Sequence, residues 1–341
     1  MKLTLDEGGS AMALMQRFTR ILAVAALGLT GVTLGVSAGS ASAAHAKRAT
    51  MHNISVGVLP IADVAPLYVG MKQGFFAAQH LKVIPHVLQG GAAVASAVVG
   101  GSLEFGFGAT ANIVLAASHN LPVQFVANGD QAASSASSAW SGILVSASSG
   151  ITSISQLAGK TIATNALEGE NELALDAVLA QNGVSPSSVK IVVLGFPDMP
   201  AALASGSVDA VTEVEPFVSA IEAKGGKLLS PLFEGMQPSM LVAGYFANTG
   251  LIHSNPTLVK SFITAMNKSL VYAQTHPAAV RAAVLTYTQI PSTVVANMKL
   301  PVWGAAVQTT SIKTQENLMH RFGWISGVLP VSRLVWSGAV R

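Results

Sequence analysis

Acidic side chains are concentrated in the loops that should follow the strands of a predicted sheet. The loops span residues 59–66, 108–112, 128–141, 164–172, 194–200 and 213–217, and none contains lysine or arginine. Their eight carboxylates are Asp63, Asp130, Glu168, Glu170, Glu172, Asp198, Glu213 and Glu215. Carboxylates accept hydrogen bonds from N–H donors. These loops therefore favour a neutral or cationic nitrogen-bearing ligand, such as a pyrimidine or an amine, over a sulfonate or nitrate.

Two other interpretations of these loops stay open. Acidic residues are favoured in the first turn of a helix, which would account for Glu170, Glu172 and Asp198, and Glu215 before Pro216 is suited to cap a helix. An anionic ligand is also compatible with backbone amides and with the loop hydroxyls of Ser134, Ser135, Ser137, Ser138, Thr110 and Thr164. The pair Gly90 and Gly91 precedes a predicted helix and suits either an anion site or a tight turn.

Three aromatic residues in or beside these loops, Tyr68, Trp140 and Phe217, are candidates to stack on a ring-shaped ligand, with ordinary core packing as the alternative. The complete set of candidate ligand-binding residues is Asp63, Tyr68, Ala109, Thr110, Asp130, Ser138, Trp140, Thr164, Asn165, Glu168, Glu213, Glu215 and Phe217.

The sequence lacks the patterns typical of catalytic, metal and cofactor sites. It contains no cysteine, and its eight histidines are dispersed without an H-E-x-x-H arrangement. Neither G-x-S-x-G nor G-x-G-x-x-G occurs. We therefore predict no catalytic residue, metal or cofactor.

Charge is sparse along the chain. Lysine and arginine number 19 against 16 acidic residues, and charged residues make up 10% of the chain, compared with about 25% in a typical soluble protein. The basic residues are scattered singly, without the clusters that nucleic-acid binding requires. We therefore expect no nucleic-acid partner.

Apolar runs and helical patterns alternate along the chain, which positions the acidic loops. Strands are predicted at 54–59, 81–88, 105–109, 123–127, 142–146, 161–164, 190–194, 210–214 and 241–247. Helices are predicted at 67–76, 92–99, 111–118, 172–181, 197–204 and 216–223, and a long helix begins at Asn255 and Pro256. This rhythm indicates an α/β fold of mostly parallel sheets flanked by helices. Because the pattern breaks at a Ser/Ala stretch, 132–139, two halves are expected, with a ligand between them at the carboxyl ends of the strands.

The first 44 residues have the features of a secretory signal. Arg17 and Arg20 precede an uncharged run at 21–36, and Ala41, Ser42 and Ala43 form an A-x-A cleavage site. The run is shorter than the roughly 20 residues that span a bilayer, which disfavours a membrane anchor. Met12 and Met15 are alternative starts of translation. Export to a periplasm, or secretion, is therefore expected.

Five blocks in order resemble the periplasmic binding proteins of nitrate, sulfonate, taurine and thiamine-precursor importers. Together they lie within residues 54–285. They are Ala65-Pro66-Leu67-Tyr68-Val69-Gly70 with Gly74-Phe75-Phe76 and Leu81-Lys82-Val83; Gly90-Gly91 with Val99-Gly100-Gly101-Ser102-Leu103-Glu104-Phe105-Gly106; Gly150-Ile151 with Leu157-Ala158-Gly159-Lys160-Thr161-Ile162-Ala163; Ala201-Ala202-Leu203, Gly206, Val208-Asp209-Ala210-Val211 and Glu215-Pro216-Phe217; and Asn255-Pro256 with its long helix.

The resemblance implies a two-lobed, type II-like binding protein that closes on a small ligand in the interlobe cleft. It implies one lobe from 53–140 plus 240–341 and a second from 141–239. The implied role is delivery of a solute to the permease subunits of an ABC importer, by a monomer that is not an enzyme. Two alternatives remain: a ligand sensor, or an enzyme on the same fold such as a pyrimidine-precursor or cofactor-biosynthesis enzyme.

Overall fold

The computed structural model describes residues 50–339, which form two five-stranded sheets flanked by helices. The first sheet contains β1 (His52–Val58), β2 (Leu81–Val87), β3 (Phe105–Ala109), β4 (Val123–Gln131) and β10 (Leu241–Asn248). The second contains β5 (Ser141–Val145), β6 (Thr161–Thr164), β7 (Lys190–Val193), β8 (Ala210–Val214) and β9 (Lys227–Pro231). The predicted signal, residues 1–44, lies outside the described residues.

Thirteen α-helices occur among residues 50–339. Before β10 they are α1 (Ala65–Lys72), α2 (Gly91–Val99), α3 (Thr110–Ser118), α4 (Glu170–Gln181), α5 (Met199–Ser205), α6 (Phe217–Glu222) and α7 (Phe233–Met236). The others are α8 (Thr249–Ser254), α9 (Pro256–Thr275), α10 (Pro277–Val284), α11 (Ser292–Asn297), α12 (Thr309–Arg321) and α13 (Val331–Leu334). No helix in this part of the chain combines the length and apolar character needed to cross a bilayer.

The two sheets have matching topologies. Their strand orders are β2-β1-β3-β10-β4 and β7-β6-β8-β5-β9. In each sheet four strands run in one direction and one runs against them: β10 is antiparallel to β3 and β4, and β5 is antiparallel to β8 and β9. The sheets are therefore mostly parallel in strand direction, as predicted, but each has a reversed strand.

The reversed strands are the ones that begin directly after a crossing between sheets. The chain leaves the first sheet at the carboxyl end of β4 and begins β5, and it returns from the end of β9 to begin β10. A strand that starts at the edge where its neighbours end must run against them. The two-lobed α/β architecture thus follows from two crossings of the chain between the sheets, both at the edge where the parallel strands end. Such connecting segments are suited to act as a hinge. The division of the chain into lobes, with boundaries at 140/141 and 239/240, stays a prediction.

The predicted elements are largely confirmed, with differences at their ends. The helix predicted over 67–76 ends at Lys72, because Gly74 adopts a left-handed φ of 74°. Strand β9 is not among the predicted strands, since Lys227, Ser230 and Pro231 interrupt its apolar pattern. The side chain of Asn255 caps α9 by accepting a hydrogen bond from the backbone N–H of Leu258 at 3.1 Å, as expected for an N-cap.

An aromatic cluster holds α9 against the first sheet. The ring of Phe262 stacks on Phe105, with centroids 3.9 Å apart, and it also contacts Phe76 and Tyr245 at 5.9 and 5.7 Å. All four side chains are buried. This packing fixes Tyr245 on β10, whose hydroxyl lies in the cleft described next.

Candidate functional site

The carboxyl ends of the strands meet between the two sheets, and hydrogen bonds connect the sheets there. The backbone N–H of Ala111, in the first turn of α3, donates to Oε2 of Glu170, at the start of α4, at 2.8 Å. The N–H of Ala62 donates to the carbonyl of Glu215 at 2.9 Å. We call the region enclosed by these contacts the interlobe cleft.

The centre of the interlobe cleft is a pair of carboxyl groups. Asp63, which follows β1, is 3% exposed, and Asp130, near the end of β4, is fully buried. Their carboxyl groups are close enough that each influences the ionisation of the other. Burial raises the pKa of Asp63 to about 6 and raises the pKa of Asp130 well above its usual value, helped by the neighbouring charge of Asp63. We call these two residues the aspartate pair.

The aspartate pair has few protein donors. The backbone N–H of Ala243 lies near enough to Asp130 to lower its pKa somewhat. Even so, neither oxygen of Asp130, nor Oδ2 of Asp63, completes a hydrogen bond of normal geometry with any residue in 50–339. A buried acceptor without a donor costs about 1–3 kcal/mol. The pair therefore leaves three buried carboxyl oxygens without a donor among the described residues.

Three tyrosines surround the aspartate pair. Tyr68 on α1 and Tyr287 stack with ring centroids 4.2 Å apart, and the hydroxyl of Tyr287 donates to the carbonyl of Ile61 at 3.0 Å. The buried hydroxyl of Tyr245 has no hydrogen-bond partner among the described residues. Burial raises the pKa of Tyr68 to about 12 and the pKa values of Tyr245 and Tyr287 well above their usual value. All three are thus neutral phenols that can donate as well as accept.

The C-terminal region holds Asp63 in place. Trp303 donates its indole N–H to the carbonyl of Asp63 at 3.2 Å, and Tyr287 binds the carbonyl of Ile61. These contacts fix the loop that follows β1 from a distance of more than 220 residues along the chain. The position of Asp63 therefore depends on packing that no local pattern encodes.

Four further residues, on the strands of the second sheet or in the segments that follow them, have unpartnered buried acceptors. Glu170 and Glu213 are each buried with one unpartnered carboxyl oxygen, and the Thr164 hydroxyl has no partner among the described residues. Burial raises the pKa of Glu170 to about 8 and the pKa of Glu213 well above its usual value. Asn165 follows β6 and has an unpartnered buried amide oxygen. Glu213 lies near the end of β8, whereas Glu170 is the first residue of α4, which agrees with the helix-start interpretation of the sequence.

Glu215 is a structural contact between segments. Its carboxylate accepts hydrogen bonds from the N–H and hydroxyl of Ser219 at 3.1 and 2.7 Å, and from the N–H of Lys299 at 3.1 Å. The first two bonds fit the predicted role of a helix-start residue for α6. Burial raises its pKa to about 7, which these bonds partly oppose.

The remaining candidate residues differ in position. Thr110 is fully buried, and its hydroxyl donates to the carbonyls of Leu241 and Val242 at 3.2 and 3.1 Å, which ties α3 to β10. Ala109 precedes it at the end of β3 and is half-buried, whereas Ser138 and Glu168 are exposed. Phe217 borders a cavity between the sheets.

Trp140 belongs to the core, which is the alternative interpretation of the sequence. Its side chain is fully buried, its ring packs edge-on against Phe233 with centroids 5.2 Å apart, and its indole N–H donates to the carbonyl of Gln131 at 3.0 Å. Both ends of the first crossing are joined by this bond. Trp140 therefore stabilises the connection between the sheets and presents no free ring face to a ligand.

Two cavities, both lined in part by Gln89, lie between segments of the two sheets. The larger, of ≈ 980 Å³, is mainly apolar and lies between α2, α3 and residues 165–167. The smaller, of ≈ 460 Å³, is lined by Phe217, Tyr287 and the α11 segment, with Lys224 on its edge. Gly90 is the N-cap of α2 with an extended backbone, φ −162° and ψ 155°, so the tight turn considered from the sequence is not formed at this residue. No group of three metal-ligating side chains is found in residues 50–339.

Tyr245 and Tyr287 are not among the candidate ligand-binding residues predicted from the sequence. Tyr245 lies in an apolar strand, where it resembles a core residue, and Tyr287 follows α10 in a region without a predicted element. One signal is available in retrospect: a tyrosine among small and apolar residues needs a partner for its hydroxyl when it is buried.

A family model described as "NMT1/THI5 like" matches residues 61–280, which is more than half of the chain. No curated protein sequence matches the chain.

Solved structures share its fold at low identity. The alkanesulfonate-binding protein SsuA from Xanthomonas axonopodis pv. citri, bound to MOPS, is 18% identical with a TM-score of 0.69, covering 86% of this chain and 99% of that one. The periplasmic nitrate-binding protein NrtA from Synechocystis PCC 6803 is 12% identical with a TM-score of 0.71, covering 85% and 87%. The desulfurization enzyme DSZB is 15% identical with a TM-score of 0.62, covering 84% and 97%. These likenesses establish the periplasmic-binding-protein fold.

Proposed function

The chain belongs to the NMT1/THI5-like family, and from this we propose that it is the solute-binding component of an ABC-type importer. In this role it captures a small molecule in the interlobe cleft by closing its two lobes and delivers it to permease subunits. The single observation that carries the proposal is the cluster of buried, unpartnered acceptors where the two sheets meet. Delivery requires one cleft in each molecule, so we propose a monomer.

The proposed location is periplasmic or extracellular. The arginine-flanked apolar run and the A-x-A site within residues 1–44 support export. The relatives in the fold comparison include proteins described as periplasmic, which supports the same location. A ligand sensor that docks on a membrane receptor would share all these features, so the permease is the finer part of the proposal.

The ligand that fits the interlobe cleft is a small molecule with N–H donors, such as an amine or an aminopyrimidine. Asp63, Asp130, Glu170 and Glu213 are buried without a cationic partner. The pair Lys160–Asp209, at 3.8 Å, is the only ion pair in the described part of the chain. A sulfonate or nitrate would bring a negative charge into a buried site that has no cationic side chain to pair with it, which costs free energy. An N–H donor would instead satisfy the aspartate pair.

An enzyme is the second candidate because the cleft contains carboxyl groups with strongly raised pKa values, which is common at catalytic sites, and because DSZB shares the fold. We propose a binding protein rather than an enzyme. The two roles differ in the fate of the bound molecule. A transported solute is recovered unchanged by mass spectrometry after denaturation, whereas an enzyme would release a converted product.

A thermal-shift panel tests the ligand class. The mature chain, starting near His45, is screened against amines, aminopyrimidines, alkanesulfonates, taurine, nitrate and bicarbonate. A ligand present at about 100 times its Kd stabilises the folded state by roughly 2.7 kcal/mol, which raises the melting temperature by about 4–5 °C for a chain of this size. We expect this shift from a nitrogen-bearing compound. A shift with an alkanesulfonate or nitrate alone would contradict the proposed ligand class.

Asp130→Asn provides the matched test of the site. The amide replaces a charge-assisted acceptor, whose hydrogen bonds contribute roughly 1.5–3 kcal/mol, so we expect the compound from the panel to bind about 10- to 100-fold more weakly. Asp198→Asn removes a carboxylate that is exposed in the loop before α5 and should leave the Kd unchanged. Equal Kd values for both variants, measured by calorimetry, would place the ligand elsewhere.

A further inference from the structure

We infer that the side chain of Glu170 occupies an oxyanion-binding position at the N-terminus of α3 and thereby excludes anionic ligands from the interlobe cleft. Glu170 would then determine specificity by filling the place of a ligand group. This inference rests on the proposed function, because it assumes that the interlobe cleft binds the solute.

The first turn of α3 has the geometry of an anion site. Its N-cap residue, Ala109, has no side chain that can cap the helix, and the Thr110 hydroxyl is directed to the carbonyls of Leu241 and Val242. The backbone N–H of Ala111 is therefore left for another acceptor. Helix N-termini with free N–H groups attract carboxylate, sulfate and phosphate.

The acceptor at this position comes from the other sheet. Oε2 of Glu170 receives the Ala111 N–H at 2.8 Å, although the two residues are 59 positions apart. Glu170 is the first residue of α4, which follows β6 of the second sheet. The contact therefore joins segments of the two sheets across the interlobe cleft.

Glu170 is buried as a ligand group would be. It is 2% exposed, and its second oxygen, Oε1, has no hydrogen-bond partner within residues 50–339. Asp130 lies close enough that Glu170 contributes to raising the pKa of Asp130. An external oxyanion at the Ala111 N–H would have to displace the carboxyl group and lie beside the aspartate pair.

Removing the Glu170 carboxyl group should open the position to small anions. In Glu170→Ala we expect sulfate, methanesulfonate or nitrate to bind at least about tenfold more tightly than to the unchanged protein, the effect of exchanging one charge-assisted hydrogen bond. The titrations are made by calorimetry at about pH 5, where the aspartate pair keeps at least one proton because both pKa values are raised.

Two variants serve as controls. Glu170→Gln keeps a side-chain oxygen that can accept the Ala111 N–H, so it should exclude anions as the unchanged protein does. Glu172→Ala removes a half-buried carboxylate from the same helical turn, whose hydrogen bond is to the N–H of Glu168, and should not gain anion binding. Circular dichroism checks the fold, and Glu170→Ser replaces Glu170→Ala if the latter unfolds.

The results separate this inference from the proposed function. A folded Glu170→Ala or Glu170→Ser that binds none of the three anions overturns the inference, as does anion binding of similar strength in the unchanged protein or in Glu172→Ala. If the unchanged protein binds no nitrogen-bearing compound but Glu170→Ala gains anion binding, the inference holds and the proposed ligand class fails. If an amine binds but no anion affinity is gained, the inference alone fails.

Discussion

The ligand-free protein is expected to become more stable as the pH falls from about 8 to about 4.5. The reason is the set of buried carboxyl groups whose pKa values are raised by burial: Asp63 to about 6, Asp176 and Glu215 to about 7, and Glu170 to about 8. In the unfolded chain these groups titrate near their usual values of about 4. Between these limits the folded state binds more protons than the unfolded state.

The sign follows from this difference in bound protons. A group whose pKa is higher in the folded state contributes stability that is fully present below its unfolded pKa and is lost as the pH rises to its folded pKa. For Asp63, a rise from 3.8 to about 6 corresponds to roughly 3 kcal/mol. We therefore expect the free energy of unfolding to fall by several kcal/mol between pH 4.5 and pH 8.

Urea denaturation across this pH range measures the effect, after bound solute has been removed by unfolding and refolding. Asp63→Asn should flatten the part of the profile between about pH 4 and pH 6, because the amide does not titrate. Asp198→Asn, on an exposed loop, should leave the profile as it is. Maximum stability near pH 8 would contradict the prediction, because it would mean that burial does not raise the pKa values of these carboxyl groups.

Phe262→Ala is expected to cause the largest loss of stability of any single substitution considered, about 3–5 kcal/mol. The ring is fully buried between α9 and the first sheet, stacked on Phe105 at 3.9 Å and in contact with Phe76 and Tyr245. Truncation removes apolar contact area and leaves a cavity that the rigid sheet can fill only partly. Because Tyr245 loses a packing partner, ligand affinity should also decrease.

Val271→Ala on the same helix is the matched control. Val271 is 54% exposed, so its truncation should change the free energy of unfolding by no more than about 0.5 kcal/mol. Both variants introduce an alanine into α9, so a difference between their free energies of unfolding reflects packing and not helix propensity. Chemical denaturation measures both free energies of unfolding. A similar decrease for the two variants would show that the aromatic cluster around Phe262 contributes little to stability.

The aspartate pair is expected to affect both the stability of the empty protein and its affinity for a ligand. Uncompensated buried carboxyl groups destabilise the empty protein, and the same unpartnered oxygens give a nitrogen-bearing solute its binding free energy. Such a balance between stability and function is common at binding sites. Asp130→Asn is therefore expected to bind the solute less tightly and, at pH 7, to be more stable than the unchanged protein.

The sequence by itself determined the class of fold and most of its elements. Apolar runs of four to eight residues and helical spacing are local patterns, so nine of the ten strands and the capped start of α9 follow from neighbouring residues. The acidic character of the loops is also visible without a structure, because residues at the carboxyl ends of strands meet at one edge of a sheet. The matching family model confirms the resemblance found in the motifs.

Only the tertiary structure decided which of these residues meet. The aspartate pair joins residues 67 positions apart along the chain, and the Glu170–Ala111 contact joins the two sheets. Tyr245, in β10, and Tyr287, after α10, lie near the aspartate pair although both come more than 110 residues later in the chain than Asp130. The reversal of β5 and β10, and the burial of Trp140 beside the crossing, have the same origin. Periodicity records how a segment faces its own neighbours, whereas the order of strands and the closing of two lobes depend on contacts between distant segments, which no local pattern contains.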